Sequence, residues 1–436
     1  MKANSNGRHI SFWTAISFVV ASMIGTGVFT SLGFQLSEIK SIFPLLMLWI
    51  FGGIIALSGA LTYAELGTAF PRSGGEYNLL SRIIHPSIGF SAGIVSSTIG
   101  FTAPSVLAAM ALGNYLDDII PFLKPELAAY IVIISIHFLH MTSIRWGTFF
   151  QDYSTFTKVA LVFTFIGFGL AINEPQSISI MPVSGDGDII TSSSFAISLV
   201  WVSYAYTGWN SSIYVSSELI DPKINISKVM IYATIFVMVL YVLLNYVFLY
   251  STPLGLMINQ IDVGYLAGIH IFGDIGGKIM GIGIAVLLIS TISSYVFIGP
   301  RIMQIMGEDH LFLELLKRKN SDGIPINAFY VQLILAVLFM VTSTFEQVLM
   351  YTGVTLIITT TLTILSLFIS RYYEPNLNRP YKTLGYPFTP LLFLVANIWI
   401  LYFSFQRYTL ESLVSVSIIF GSMFIYWALT KSKLQQ

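Results

Sequence analysis

The chain has 436 residues, 55% of them hydrophobic and only 10% charged, with 21 basic and 21 acidic side chains in formal balance. Soluble domains carry about 25% charged residues, so this composition excludes an ordinary soluble domain and points to a polytopic membrane protein. Zero net charge gives no reason for a nucleic-acid partner, and the lack of cysteine excludes disulfides, thiol catalysis and thiolate metal sites.

The N-terminus is polar (Lys2, Asn4, Asn6, Arg8, His9), and the apolar run that follows exceeds a signal-peptide core. It is expected to be a retained span. Windows of ~20 residues then give about twelve spans in a single membrane domain, 1–436. The first five are Ser11–Leu36, Phe43–Ala69, Ile84–Tyr115, Leu127–Ile144 and Tyr153–Ile172. The next five are Ser193–Ser217, Val229–Tyr250, Ile279–Gln304, Asn327–Thr342 and Gln347–Arg371. Phe388–Phe405 and Leu413–Thr430 close the set.

Alternate loops are basic: Arg72/Arg82, Arg145, Lys223/Lys228, Arg301 with Lys317–Lys319, and Arg371/Arg379/Lys382. The termini add Lys2, Arg8, Lys431 and Lys433, whereas the opposite loops hold only Lys40, Lys124, Lys278 and Arg407. The positive-inside rule places both termini in the cytoplasm, in the plasma (cytoplasmic) membrane. On the other side, Val263–Phe272 is apolar but too short to span, and is expected to lie over the outer mouth as a lid.

Two spans are interrupted by glycine near their middles. The first carries Met23-Ile24-Gly25-Thr26-Gly27, and the sixth carries Tyr204-Ala205-Tyr206-Thr207-Gly208-Trp209-Asn210. Glycine costs ~1 kcal/mol relative to alanine in a helix interior and lets a ligand or another backbone come close. An opened helix presents free N–H groups on one half and free C=O groups on the other, which suits a carboxylate and an ammonium on one small molecule. A close helix–helix crossing is the competing reading of the same small residues. Interrupted helices at corresponding places of two five-span halves point to inverted repeats, 11–172 and 193–371, with two peripheral helices in 388–430.

These residues carry a resemblance. Ile24-Gly25-Thr26-Gly27-Val28-Phe29 is similar to the G-[ST]-G-[IV]-F signature of the amino acid–polyamine–organocation transporter family. Tyr63-Ala64-Glu65-Leu66-Gly67 followed by Pro71-Arg72-Ser73-Gly74-Gly75-Glu76-Tyr77 resembles that family's Y-A-E-L-G…P-x-S-G-G-E-Y segment. Gln151-Asp152 through Thr157-Lys158 and Tyr206-Thr207-Gly208-Trp209-Asn210 with Glu218…Asp221-Pro222 extend the match toward the L-type branch. The resemblance implies an all-α, LeuT-like fold with broken helices 1 and 6 and an amino acid bound between them. By that similarity Thr26 and Gly27 would present backbone N–H groups, and Thr26 its hydroxyl, to the substrate carboxylate. The carbonyls of Met23 and of Tyr204, Ala205, Tyr206 and Thr207 would accept from the substrate ammonium, and Gly25 would belong to the same site. Tyr204 would close over the substrate as an aromatic gate, and Asn210 would brace the break. Thr207 stands where the branch usually has a smaller residue, which narrows the pocket, and Glu308 stands where the family often has an arginine.

Lys158 falls inside the fifth span, where an ammonium costs ~2.5–3.5 kcal/mol or more unless it faces protein. Snorkelling to the interface is the residue-level alternative. Within the resemblance, Lys158 would reach the carbonyls freed in span one and stand in for the sodium ion of cation-coupled relatives. Thr291, Ser293 and Ser294 in span eight are the rival evidence, as hydroxyls able to ligate sodium. Glu65, Arg72 and Glu76 are expected to form a gate at the cytoplasmic end of span two. His137 and His140 lie one turn apart and read as packing groups. No catalytic residue, cofactor, metal or accessory subunit is indicated.

The reading is therefore a sodium-independent exchanger or proton-coupled carrier of neutral amino acids, since no acidic residue is visible at either break. An amine carrier, a sodium symporter and a membrane enzyme remain alternatives. Gly27→Leu is expected to block substrate binding while leaving folding largely intact.

Overall fold

The computed structural model describes residues 10–431 apart from 118, 121 and 143, with backbone alone over 144–154 and at 431. The regular structure among the described residues is helical, with a lone bridge between Ile10 and Leu219 as the sole β pairing among them. In chain order the helices are α1 (Phe12–Met23), α2 (Thr26–Glu38), α3 (Ile42–Ala69), α4 (Glu76–Ile83), α5 (Pro86–Val95) and α6 (Ala103–Asp117). Then come α7 (Pro125–Thr142), α8 (Ile144–Leu170), α9 (Asp186–Ile190), α10 (Ser193–Tyr206), α11 (Pro222–Ser251) and α12 (Leu254–Met257). α13 (Val263–Asp309), α14 (Ile326–Thr342), α15 (Phe345–Tyr373), α16 (Phe388–Arg407) and α17 (Thr409–Lys431) complete the chain. Among the described residues, nine stretches are long and apolar enough to cross a bilayer. All twelve expected spans fall on helices once α8, α14 and the broken α10 segment join those nine. The motif residues Gln151 and Asp152 have side chains outside the described set.

Local chemistry sets the helix ends. The Ser11 hydroxyl accepts from Thr14 N–H at 3.2 Å and starts α1. Thr344 and Gln347 form a reciprocal capping box at the start of α15. Between α5 and α6 the chain runs continuously through a π-helical stretch, Ser96–Thr102. Pro104 accounts for it: its ring has no N–H and would collide with the Gly100 carbonyl in a regular helix, so the turn widens.

The expected lid is the first arm of α13. That helix bends at Gly273, whose φ of 73° breaks the helical run, and Val263–Phe272 folds back over the bundle. Asn259 N–H donates to Gly33 O at 2.9 Å, and Gly264 N–H donates to the Tyr115 hydroxyl, which itself donates to Phe29 O. The arm is thus tied to α2 and α6. At the other end of the bundle Ile10 exchanges two backbone bonds with Glu218 and Ile220, both 3.0 Å. Polypeptide covers both ends.

The core runs continuously around α1, α2 and α10, with Trp49, Trp201, Tyr206, Tyr241 and Phe248 among its largest fully buried side chains. These pack as tilted and edge-on aromatic pairs, Trp49 with Tyr241 at 5.7 Å and Tyr206 with Tyr241 at 5.0 Å.

Candidate functional site

The first span is broken where its glycines predict. Ile24 and Gly25 are extended (ψ 95° and −147°), so α1 stops at Met23 and α2 starts afresh at Thr26. A helix that ends inside a bilayer leaves four carbonyls without intrahelical partners. Val20 O still accepts from Ile24 N–H at 2.9 Å, and three of the freed carbonyls find side chains: Ala21 O accepts from the Lys158 ammonium at 3.1 Å and Ser22 O from the Tyr295 hydroxyl at 3.2 Å. The third, Met23 O, faces the Tyr241 hydroxyl, which also lies 3.1 Å from Ala205 O. Three side chains from α8, α13 and α11 therefore hold the break, and Tyr241 joins it to the sixth span.

The second break follows α10. Thr207 turns extended and its hydroxyl folds back onto Tyr204 O at 2.6 Å. Gly208 takes φ +103°, a conformation that disfavours any side chain, and a Cβ there would stand 2.7 Å from the Ser22 carbonyl. The chain then makes only a short 3₁₀ turn, Ser211–Tyr214, so the second half of this span is not an α-helix as an interrupted helix would imply.

The two breaks meet. The Thr26 hydroxyl is 2.8 Å from the Tyr204 hydroxyl, both buried. A Cβ on Gly27 would fall 2.4 Å from Ala205 Cα, and one on Gly25 would touch Thr291 Cγ2 at 3.1 Å. Both readings of the glycines therefore apply to span one: Thr26 begins a free helix N-terminus, while Gly27 is a close backbone crossing. The expectation that Gly27→Leu spares folding fails on this geometry, because backbone rather than a yielding side chain occupies the space. Met23 O and Tyr204 O, assigned to the substrate ammonium, already carry Tyr241 and Thr207. Each carbonyl keeps a second lone pair for another donor.

Lys158 is fully buried, and its ammonium donates to Thr291 Oγ1 at 2.9 Å as well as to Ala21 O. The snorkelling alternative is excluded by this placement, and Thr291, read as a rival sodium ligand, is instead the partner of the lysine. His140 Nε2 meets Ser293 Oγ at 2.8 Å, and His137 Nδ1 meets Ile133 O.

Glu65, Arg72 and Glu76 do not form one gate. Glu65 is buried between Arg371 (2.6 Å) and Arg379 (3.1 Å) and accepts both donors of Thr383, fastening the segment after α15 to α3. Arg72 is exposed and pairs with Asp309 at 2.8 Å. Glu76 lies deep, with Oε1 accepting from Tyr63 at 2.8 Å and from Asn210 at 3.1 Å. So an acidic residue does reach the second break, where sequence reading saw none. It arrives through the fold, from a loop more than a hundred positions away. Arg301, stacked 3.5 Å over Phe297, approaches Glu218 at 4.0 Å near the Ile10 bridge.

Two cavities flank the second break. One, of about 50 Å³, is lined by Glu76, Phe101, Thr207, Gly208, Asn210 and Tyr295; the other, of about 40 Å³, lies between Thr207, Trp209, Gly353 and Asn397. Thr207, Trp209, Leu356 and Thr360 border both. Phe101, Tyr241, Tyr295, Leu356 and Thr360 were not singled out from sequence. A buried tyrosine hydroxyl in an apolar span must find a partner, which is the one signal that marks Tyr241 and Tyr295.

A family model described as amino acid permease matches residues 10–429, nearly the whole chain. The chain belongs to that family. It is 26% identical over 448 residues to the serine/threonine exchanger SteT of Bacillus subtilis, covering 99% of this chain and all of the relative. It is also 26% identical to the large neutral amino acids transporter small subunit 2 of Mus musculus (90% of this chain, 76% of that one). The Asc-type amino acid transporter 1 of Homo sapiens gives 26% over 96% of this chain and 81% of its own length. This permease is a multi-pass, all-α membrane protein of the L-type-like branch, a secondary amino acid transporter and not an enzyme.

Proposed function

We propose that this permease exchanges neutral amino acids without sodium, alternating access around the meeting point of its two broken helices. The observation that carries the proposal is the ammonium of Lys158, fixed between Ala21 O and Thr291 Oγ1. It supplies one positive charge and donors to a freed carbonyl and a hydroxyl that a bound cation would otherwise have to satisfy. A neutral substrate suits a site whose acidic residue, Glu76, is already hydrogen-bonded to Tyr63, Asn210 and Tyr214. The names of the relatives, a serine/threonine exchanger and a large neutral amino acid transporter, agree with that class.

In this reading the substrate carboxylate sits at the start of α2, against the N–H groups of Thr26 and Gly27, where helix geometry leaves donors unpaired. Its ammonium takes the second lone pairs of carbonyls at the ends of α1 and α10. Tyr204 lies over Thr26 and closes the site. The two halves, 11–172 and 193–371, act as inverted repeats that rock about this point, with 388–430 peripheral. Both termini face the cytoplasm of a plasma membrane by the basic loops, so the Ile10–Leu219 bridge and the Arg72–Asp309 pair close the inner side, and the α13 arm the outer.

The test is exchange of labelled L-serine in proteoliposomes with sodium fully replaced by choline. Unchanged exchange supports the proposal; loss of exchange in choline refutes it.

A further inference from the structure

Glu76 is fully buried in a setting of neutral groups. Oε1 carries two donors, Tyr63 Oη at 2.8 Å and Asn210 Nδ2 at 3.1 Å, whereas Oε2 has a single contact, Tyr214 Oη at 3.4 Å. A hydroxyl bonded to an ionised carboxylate closes to about 2.5–2.7 Å, so Oε2 is not gripped as an anion would be. Tyr214 Oη is in turn 3.1 Å from Ser96 Oγ in the π-helical stretch. That chain can reverse: a proton on Oε2 is donated to Tyr214 Oη, and Tyr214 turns its own proton to Ser96.

Around the carboxyl α3 offers Tyr63, the 3₁₀ turn Tyr214, and the second break Asn210; α13 offers Tyr295 across the cavity, and α15 only Leu356 and Thr360. On α4 itself Tyr77 turns away to Asp309. Glu65 of α3 is held by its two arginines, and the Arg72 side chain goes to Asp309. Among the described residues no lysine, arginine or histidine bonds to Glu76. Nor is any group of three or more His, Asp or Glu side chains that could hold a metal ion found among the described residues.

We propose that Glu76 is a proton-binding site at the floor of the substrate cavity, occupied when the cavity is closed and emptied when the inner side opens. The inference rests on reading the second break as the substrate site. Burial pushes the Glu76 carboxyl well above the ordinary carboxylate range, against the opposing pull of its Tyr63, Tyr214 and Asn210 hydrogen bonds. Closure strips water from the carboxyl and favours the protonated form. When water enters from the inner side the proton leaves, and the new anion holds Asn210 more strongly and repositions the second break. The Oε2–H bond breaks as its proton passes to water, leaving the carboxylate, and re-forms when the proton returns; no other bond changes.

The test compares the wild-type chain with Glu76→Gln, which keeps the shape and the neutral form. A carboxyl raised in the folded state contributes stability below its unfolded pKa and loses it as pH rises toward the raised value. Between ~4.3 and that value each pH unit therefore costs wild type up to about tenfold in its folding equilibrium relative to the glutamine variant. Melting of the purified proteins across pH 5 to 8 should show the two curves drawing apart as pH rises. A constant gap across that range overturns the proposal. Exchange of labelled L-serine in proteoliposomes over the same range should vary severalfold in wild type and stay flat in Glu76→Gln. An equally pH-dependent variant also overturns it. Melting needs no substrate, so a failed transport reading and a failed proton site give different results.

Discussion

Replacing Lys158 by methionine removes the charge while keeping the length of the side chain. In the structure it removes two hydrogen bonds, to Ala21 O at 3.1 Å and Thr291 Oγ1 at 2.9 Å. Bonds to a charged group are worth ~1.5–3 kcal/mol each, so the gross loss is about 3–6 kcal/mol. The variant also escapes the cost of holding an ammonium out of water, several kcal/mol, which offsets most of that loss in global stability. Thr291 keeps its own bond to Leu287 O at 3.1 Å, so the single orphan left behind is the Ala21 carbonyl, at a cost of ~1–3 kcal/mol. That residual cost falls on the arrangement of the break itself. At ~1.4 kcal/mol per factor of ten it corresponds to about five- to hundredfold in the population of the ordered site. The expected result is a melting temperature within a few degrees of wild type and L-serine exchange reduced by roughly tenfold or more. Reconstituted Lys158→Met protein exchanging at the wild-type rate would refute the reasoning that the ammonium orders span one.

Two other perturbations separate packing from function. Gly27→Leu should fail at folding rather than at binding, because its Cβ alone would meet Ala205 Cα at 2.4 Å; the measure is the monodisperse fraction after detergent extraction, and a well-folded but inactive variant would contradict the crossing. Glu65→Ala takes the buried carboxylate away from Arg371, Arg379 and the Thr383 N–H. Breaking a buried pair from one side costs ~3–5 kcal/mol, so melting should drop by several degrees, and an unchanged melting curve would show that the latch contributes nothing.

Much of the site was legible because its features are local. Gly25 and Gly27 mark a helix that stops, and Lys158 marks a charge that needs a protein partner; both readings depend on a few adjacent residues. That Val263–Phe272 does not span by itself was legible from length alone, since ten apolar residues cannot cross a bilayer. Tyr241 and Tyr295 were not legible. Their helices are apolar on every side, so no hydrophobic face tells which way a given residue points. Glu76 misled for a different reason. Its sequence neighbours, Arg72 and the Ser-Gly-Gly turn, resemble a solvated loop, but Tyr214 and Asn210 from the second break fold over it. The grouping of Glu65, Arg72 and Glu76 failed likewise, because proximity in sequence near the end of α3 says nothing about which later segment each side chain will meet.

The central claim is that bare peptide groups at two broken helices recognise the carboxylate and ammonium of an amino acid. Competition against labelled L-serine exchange by L-serine methyl ester and N-acetyl-L-serine tests it most directly, since each analogue removes one charge and keeps the side chain. The account predicts that neither competes at concentrations where unlabelled L-serine competes fully. Equal competition by either analogue would contradict it.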